Sequence, residues 1–177
     1  IMSVHGEMPL NFTNPEKRAR SVKSLKKALF GVADPVKWRG SFYREREVSG
    51  EMTGGNLSMI CSLTGTKAEP SVRGKILFLE DVGENYYHID RMFTALRLAG
   101  KLDGLAALVI GGMNKMEDTK LPWPVSLEDT IAGIVKDYDY PVFFGFPAGH
   151  LSDNRAFYIG QRATISVSGR SAELSFG

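Results

Sequence analysis

Apolar residues form three short uninterrupted runs in the middle of the chain, and amphipathic segments separate those runs. The runs predict buried strands at 75–79, 105–110 and 141–146, and residues 76–79 are apolar on both faces, as in strands within a parallel sheet. Between them, residues 86–98 and the segment after Ser126 repeat apolar positions at helical spacing. This strand–helix–strand–helix–strand order predicts a parallel βαβαβ unit with right-handed crossovers.

The two ends of the chain have a different pattern, which is typical of antiparallel pairing. Residues 162–167 and 172–176 alternate apolar and polar positions, so we expect a terminal hairpin across Gly169. Residues 1–5 and 41–48 are also predicted strands. The predicted fold class is therefore α/β, a mixed sheet with a parallel βαβαβ middle and antiparallel ends.

Turn and helix signals complete the predicted element order. The dipeptide Asn14-Pro15 begins a helix that Gly31 ends, since proline suits the first helical position and glycine the position after the last. Residues 52–55 are predicted to form a turn, and a short helix is predicted from Asn56 to Leu63.

Length and composition indicate one globular domain with its own core. The chain has 177 residues, of which 43% are hydrophobic and 24% charged. Its 22 basic and 20 acidic residues give a net charge of +2, too weak a balance to indicate nucleic acid. No apolar run approaches the roughly 20 residues that cross a membrane. The single cysteine excludes an intramolecular disulfide and a cysteine-based zinc site.

Chemistry-bearing side chains follow the predicted parallel strands. Glu80 and Asp81 end the first strand, and His150 follows the third. Ligands bind outside the carboxyl ends of the strands in open parallel sheets, and a carboxylate that accepts the Nδ1 proton of a histidine makes it a general base. Glu80 and His150 are therefore the candidate catalytic pair. The alternative is a turn-capping acid and an ordinary loop histidine.

The chain offers no convincing nucleophile for such a pair. It contains no Gly-x-Ser-x-Gly turn, and Ser58 and Cys61 lie inside a predicted helix. The chain also begins directly in an apolar strand, so we expect residues 1–177 to be a single domain cut from a longer protein whose nucleophile lies upstream. Gly55 and Asn56 are candidate substrate-binding residues, because glycine permits close approach and a helix N-terminus presents free N–H groups. A tight turn is the alternative.

Taken together, these segments resemble the C-terminal half of the LD-carboxypeptidase family, the serine peptidases of family S66. The matching stretches run in order along the chain: 4–6 with Met8, 54–58, 65–66, 75–81 with Glu84, 89–92, 99–102, Gly111, 149–150 with Asn154, and Gly160. Two positions depart from the family pattern, since Glu7 and Tyr158 stand where proline is usual.

The resemblance implies a C-terminal domain of swivelling β/β/α type in which Glu80 and His150 are two members of a catalytic triad. The serine and the oxyanion hole would belong to an N-terminal domain. The implied reaction cleaves an L,D-amide in murein tetrapeptides during cell-wall recycling in the cytoplasm. The implied partners are a muropeptide, the protein's own N-terminal domain and a second copy in a homodimer. Nucleic acid, membrane, cofactor and metal are not implied.

Two alternatives stay open. A second branch of the family, the microcin-immunity peptidases, cleaves acyl-sulfamoyl adenylates, although the short 113–125 loop favours the carboxypeptidase branch. The chain could also be a non-catalytic α/β binding module that kept the fold without the reaction.

Overall fold

A computed structural model describes residues 1–13, 15–31, 33–118 and 120–177. The strands are β1 (Ser3–His5), β2 (Val36–Arg39), β3 (Phe42–Tyr43), β4 (Val48–Asn56), β5 (Ile76–Val82), β6 (Ala107–Asn114), β7 (Val142–Phe143), β8 (Phe157–Ile159), β9 (Arg162–Ser168) and β10 (Ser171–Phe176). The helices are α1 (Pro15–Leu29), α2 (Leu57–Leu63), α3 (Tyr86–Leu98) and α4 (Leu127–Ile134), with a 3-10 turn at Pro9–Thr13.

Eight strands form one mixed sheet in the order β2-β10-β9-β4-β5-β6-β7-β3. The central strands β4, β5, β6 and β7 are parallel, whereas β3 at one side and β9, β10 and β2 at the other pair antiparallel. Strands β1 and β8 form a separate antiparallel pair. The predicted fold class is confirmed, including the parallel middle and the terminal hairpin of β9 and β10.

Alternate residues of the parallel strands supply two cores on opposite faces of the sheet. On one face, Leu77 and Leu108 pack with Ile89 and Phe93 of α3 and with Ile131 of α4. The opposite face buries a cluster of aromatic rings from several strands and loops, comprising Trp38, Phe78, Phe143, Phe146 and Phe157. The sheet is therefore covered on both sides, which explains why β5 and β6 are apolar on both faces over residues 76–79 and 107–110.

The prediction of a turn at residues 52–55 is wrong, because these residues lie inside β4. Strand β4 pairs with β9 through 48–51 and with β5 through 52–56, so it occupies the centre of the sheet. Gly54 has a φ of +112°, and a Cβ there would lie 1.9 Å from the carbonyl oxygen of Phe78. The glycine marks a close approach of two backbones, and this requirement looks like a turn in the sequence.

Three other predicted boundaries also differ. The exposed strand predicted at 41–48 is reduced to β3, because Arg44 adopts a φ of +55°, and the preceding strand β2 was missed. The run 141–146 forms only the two-residue β7 before Gly145 turns the chain at a φ of +78°. The apolar spacing after Ser126 extends to Tyr138 and predicts it in the same helix, but α4 ends at Ile134 and Tyr138 stacks on Tyr140 beyond it.

The remaining helix predictions are confirmed. Helix α3 spans 86–98 as predicted, and the Ser126 hydroxyl caps α4 by accepting from the Asp129 N–H at 3.0 Å. Asn56 caps α2 in the same way, accepting from the Met59 N–H at 3.2 Å. The predicted role of Asn14 at the start of α1 lies outside the described residues. Within the described ranges, no helix has the length and apolar character needed to cross a membrane.

Candidate active site

Glu80 and His150 meet at the carboxyl edge of the parallel strands. An Oε2 atom of Glu80 lies 2.8 Å from the His150 Nδ1 atom, within the hydrogen-bond distance that the sequence argument expects. The backbone N–H of His150 donates to the same oxygen at 3.2 Å. An ionised carboxylate only accepts hydrogen bonds, so this contact places the proton on Nδ1 and leaves Nε2 as a base.

The two partners have opposite exposure. The Glu80 side chain is 3% exposed, whereas the His150 side chain is 38% exposed. The pairing of β5 with β6 shifts register between Leu79 and Asp81, and such irregularities commonly redirect a side chain at a site. The carboxylate is therefore held inside the protein, and the imidazole lies where a substrate can reach it.

Gly149 allows this contact to form. Its φ is +108°, and a Cβ there would lie 2.5 Å from Glu80 Oε2. The Gly149 N–H donates to the buried side chain of Asn154 at 3.0 Å, and the Asn114 side chain donates to the His150 carbonyl. The His150 loop also lies directly on β6, because a Cβ on Gly112 would lie 2.6 Å from the Leu151 side chain.

Helix α1 holds the far side of the same loop. Ser21, which is fully buried, accepts from the Asn154 N–H at 2.9 Å and donates to the Ser152 carbonyl at 3.1 Å. Arg18 donates to the Leu151 carbonyl, and Ser24 accepts from the Ala156 N–H at 2.9 Å. A helix remote in sequence thus fixes the backbone around His150. The sequence pattern of α1 contained no signal for this role beyond its serines.

His5 is a further residue of the site whose role the sequence did not reveal. Its ring contacts Phe78 and Phe157 with centroid distances of 5.1 Å each. Its Nε2 atom is buried and has no hydrogen-bond partner among the residues that the structure describes. Burial of the ring, and to a smaller extent the nearby His150, lowers the pKa of His5 to about 4. His5 is therefore neutral at physiological pH and adds no positive charge beside His150.

A cavity of about 390 Å³ opens over the Glu80–His150 pair. Its walls come from the segment after β1, from α1, from the ends of β5 and β6 and from the His150 loop; the ionisable side chains among them are His5, Glu7, Arg18, Glu80, Lys115 and His150. Larger concave surfaces on the molecule lie away from this pair. The cavity beside the Glu80–His150 pair is the candidate site, because it combines a concave surface with an acid and a base.

Gly55 and Asn56 lie on β4, the strand next to Glu80, with Asn56 in register with Glu80. The Asn56 amide donates to Asp81 at 2.8 Å, and its oxygen accepts from the Ser58 hydroxyl at 2.7 Å. Asn56 therefore has a structural role at the start of α2. A Cβ on Gly55 would meet no atom of the described residues within 4 Å, so its backbone borders open space. Their role in substrate binding stays a prediction.

The candidate nucleophiles of the chain are not joined to His150. The Cys61 thiol lies 3.7 Å from the Met92 carbonyl, and burial, with a smaller effect of Asp81, raises its pKa to about 11. The Ser58 hydroxyl is bonded to Asn56. Among the described residues, no serine, threonine or cysteine side chain is hydrogen-bonded to His150, and no three His, Cys, Asp or Glu residues cluster as a metal site. The described site is thus an acid–base pair.

Comparison with known proteins gives the family. Residues 49–165 match the model of the LD-carboxypeptidase C-terminal domain. A probable murein peptide carboxypeptidase of Bacillus subtilis is 34% identical over 131 residues, covering 74% of this chain and 41% of that protein. The murein tetrapeptide carboxypeptidase of Pseudomonas aeruginosa is 29% identical over 153 residues, or 85% of this chain and 48% of that protein. The chain thus spans less than half the length of these relatives.

The chain is also similar to a solved carboxypeptidase structure and to a microcin self-immunity protein. The muramoyltetrapeptide carboxypeptidase of Oxalobacter formigenes superposes with a TM-score of 0.88 at 27% identity, covering 99% of this chain and 61% of that one. The microcin C7 self-immunity protein MccF of Escherichia coli is 24% identical over 139 residues, 76% of this chain and 39% of that protein. Since the domain model covers more than half of the chain, the protein belongs to the LD-carboxypeptidase family, S66.

Proposed function

We propose that this chain supplies the acid–base half of a serine LD-carboxypeptidase that removes the last residue of murein tetrapeptides. The single observation that carries the proposal is the 2.8 Å contact between buried Glu80 and partly exposed His150 at the mouth of a cavity. Family membership and relatives named murein peptide carboxypeptidases support this substrate class. Cell-wall fragments recovered in the cytoplasm are the proposed source of substrate.

In the proposed reaction, His150 acts through its Nε2 atom. The Glu80 carboxylate accepts a hydrogen bond from the Nδ1–H of His150. The Nε2 atom is then free to accept the proton of a serine hydroxyl as the serine oxygen attacks the scissile carbonyl. The resulting imidazolium is stabilised by the Glu80 carboxylate and then protonates the leaving amine. We place the serine and the oxyanion hole in an N-terminal domain of the same protein. The 177-residue chain alone is expected to show no turnover, because the serine and the oxyanion hole each raise the rate by orders of magnitude and we place both outside it.

The test is a kinetic comparison in the protein that carries this chain together with its upstream domain. His150→Ala should lower kcat by about 10³-fold or more. Its melting temperature should fall only by the roughly 3–12 °C that one hydrogen bond to a buried carboxylate is worth, because the loop side chain leaves no core cavity. Glu80→Gln should lower kcat less. Release of D-alanine from a murein tetrapeptide, followed by chromatography, measures both.

A matched control exists in the chain. His88 forms a second histidine–carboxylate pair, with its Nδ1 atom 2.7 Å from Glu84 Oε2, but neither residue lines the cavity. His88→Ala should leave kcat within about twofold of the unmodified protein, as expected of a surface change. An unchanged kcat for His150→Ala would contradict the proposal and favour a non-catalytic binding module.

The same assay separates the microcin-immunity alternative. The 24% identity to MccF and the shared fold keep an acyl-sulfamoyl adenylate as a second candidate substrate. We propose the carboxypeptidase reaction because the relatives with murein-peptide names show the higher identities. Preferential hydrolysis of aspartyl-sulfamoyl adenosine over the tetrapeptide would reverse that assignment. We also propose a homodimer, which light scattering of the complete protein would test.

A further inference from the structure

The charges that line the catalytic cavity are unequally paired. Glu80 is bonded to His150, and Glu7 forms an ion pair with Arg18 at 3.2 Å. The Glu7 side chain is 2% exposed. A buried carboxylate at this position requires compensation, and the surrounding residues provide it.

Glu7 holds Arg18 in one place. The Glu7 carboxylate also accepts from the Asn11 side chain at 2.6 Å and from the Met8 N–H at 3.2 Å. Arg18 uses its Nη1 atom for both of its contacts among the described residues, with Glu7 and with the Leu151 carbonyl. The guanidinium is thereby fixed to the residue that follows His150, and little conformational entropy remains to be lost on binding a ligand.

The rest of the guanidinium is available to a ligand. Within the described part of the chain, the Nε and Nη2 atoms of Arg18 have no hydrogen-bond partner, and the side chain is 25% exposed on the cavity wall. A guanidinium binds a carboxylate through two parallel N–H···O bonds, which sets both position and orientation.

We infer that Arg18 binds the free terminal carboxylate of the peptide whose last amide is cleaved. This inference rests on the proposed function for the identity of the ligand. The terminal carboxylate belongs to the residue that the scissile amide releases, so it lies close to that amide. Arg18 lines the same cavity as His150 and donates to the carbonyl of Leu151, the residue after His150, so a carboxylate bound to it lies on the wall beside the imidazole. Arg18 would thus restrict the enzyme to removal of a single terminal residue.

Lys115 is the competing cation. It lines the same cavity, its φ is +53°, and it forms no ion pair among the residues that the structure describes. Its exposed ammonium is a mobile point charge, whereas the guanidinium of Arg18 is already held by two contacts. The fixed, planar group is the better match to a carboxylate that must be oriented for reaction.

Binding by this chain tests the inference without turnover. The murein tetrapeptide and its C-terminal amide are titrated into ¹⁵N-labelled protein, and the two dissociation constants are compared by NMR. A charge-assisted hydrogen bond changes affinity by about 10- to 100-fold, so the free acid should bind at least tenfold more tightly than the amide. The double variant Glu7→Gln/Arg18→Gln removes the whole ion pair and leaves no buried charge unpaired. In this double variant, the ratio of the dissociation constants of amide and free acid should fall to about one.

Two controls define the result. Arg20→Gln removes one positive charge from the same helix at a 75% exposed position outside the cavity, and it should keep the preference for the acid. Arg18→Lys should lose most of that preference, because a lysine cannot reproduce the fork. Equal or undetectable binding of acid and amide by the unmodified chain would overturn the inference. The inference would also be overturned if the double variant kept the preference for the free acid. Loss of that preference in Lys115→Gln alone would overturn it as well. Absence of turnover in the complete protein bears only on the proposed function.

Discussion

Gly149→Ala should break the catalytic pair by pushing its two members apart. The new Cβ would lie 2.5 Å from Glu80 Oε2 and 2.8 Å from Glu80 Cγ, distances at which one group must move. Glu80 is 3% exposed and cannot move into water without carrying the end of β5 with it. The hydrogen bond between Glu80 and His150 is therefore the contact that gives way.

The magnitude follows from two contributions. An L-residue at a φ of +108° costs about 1–3 kcal/mol in backbone strain, and loss of a hydrogen bond to a buried carboxylate costs about 1.5–3 kcal/mol more. For a domain of this size each kcal/mol lowers Tm by about 2–4 °C, so the sum of about 2.5–6 kcal/mol corresponds to roughly 5–24 °C.

Gly55→Ala is the matched control, because it separates strain from collision. Gly55 has a φ of +147°, and a Cβ there would lie more than 4 Å from every atom in the described part of the chain. We expect Gly55→Ala to lower Tm through strain of about 1–3 kcal/mol while leaving the Glu80–His150 contact intact. The readouts are a thermal melt and the downfield NMR signal of the hydrogen-bonded Nδ1 proton of His150. Persistence of that signal in Gly149→Ala would refute the reasoning.

Three further outcomes can be checked on the same chain. Ser21→Ala should lower the free energy of unfolding in a urea titration by about 1–3 kcal/mol, because it leaves the buried Asn154 N–H without an acceptor. Ser62→Ala, at an exposed position, should leave the free energy of unfolding nearly unchanged. Asp81→Asn should destabilise α2 by about 1–2 kcal/mol in a thermal melt. Both oxygens of Asp81 accept hydrogen bonds, from the Ser58 N–H at 2.9 Å and from the Asn56 amide at 2.8 Å, and an asparagine amide has only one oxygen that can accept. The pKa of His5 is 6.5 in the unfolded chain and about 4 in the folded chain, so the unfolded chain binds a proton first as the pH falls. The free energy of unfolding should therefore decrease by about 3 kcal/mol as the pH falls from 6.5 to 4. His5→Phe should abolish this decrease, which urea titrations at several pH values would measure.

The parts of the fold that local pattern specifies were predictable from the residues. Apolar runs and helical spacing predicted the strands and crossover helices, and the carboxyl edge of parallel strands follows from their order. The encounter of Glu80 with His150 was therefore predictable across a separation of 70 residues. Spacing could not show that the Glu80 carboxylate is buried or that Gly149 makes room for it, since both depend on how closely the His150 loop packs.

The remaining features depend on contacts between segments that are distant in sequence. Position 54 of the central strand β4 requires glycine, because the backbone of β5 occupies the space that a side chain would fill. Arg18 and Ser21 read as positions of an ordinary helix, and their function arises from the packing of α1 against residues more than 130 positions away. His5 is neutral because Phe78 and Phe157 exclude water from it. Local propensity contains no information about such neighbours, because burial and charge pairing are properties of the folded chain.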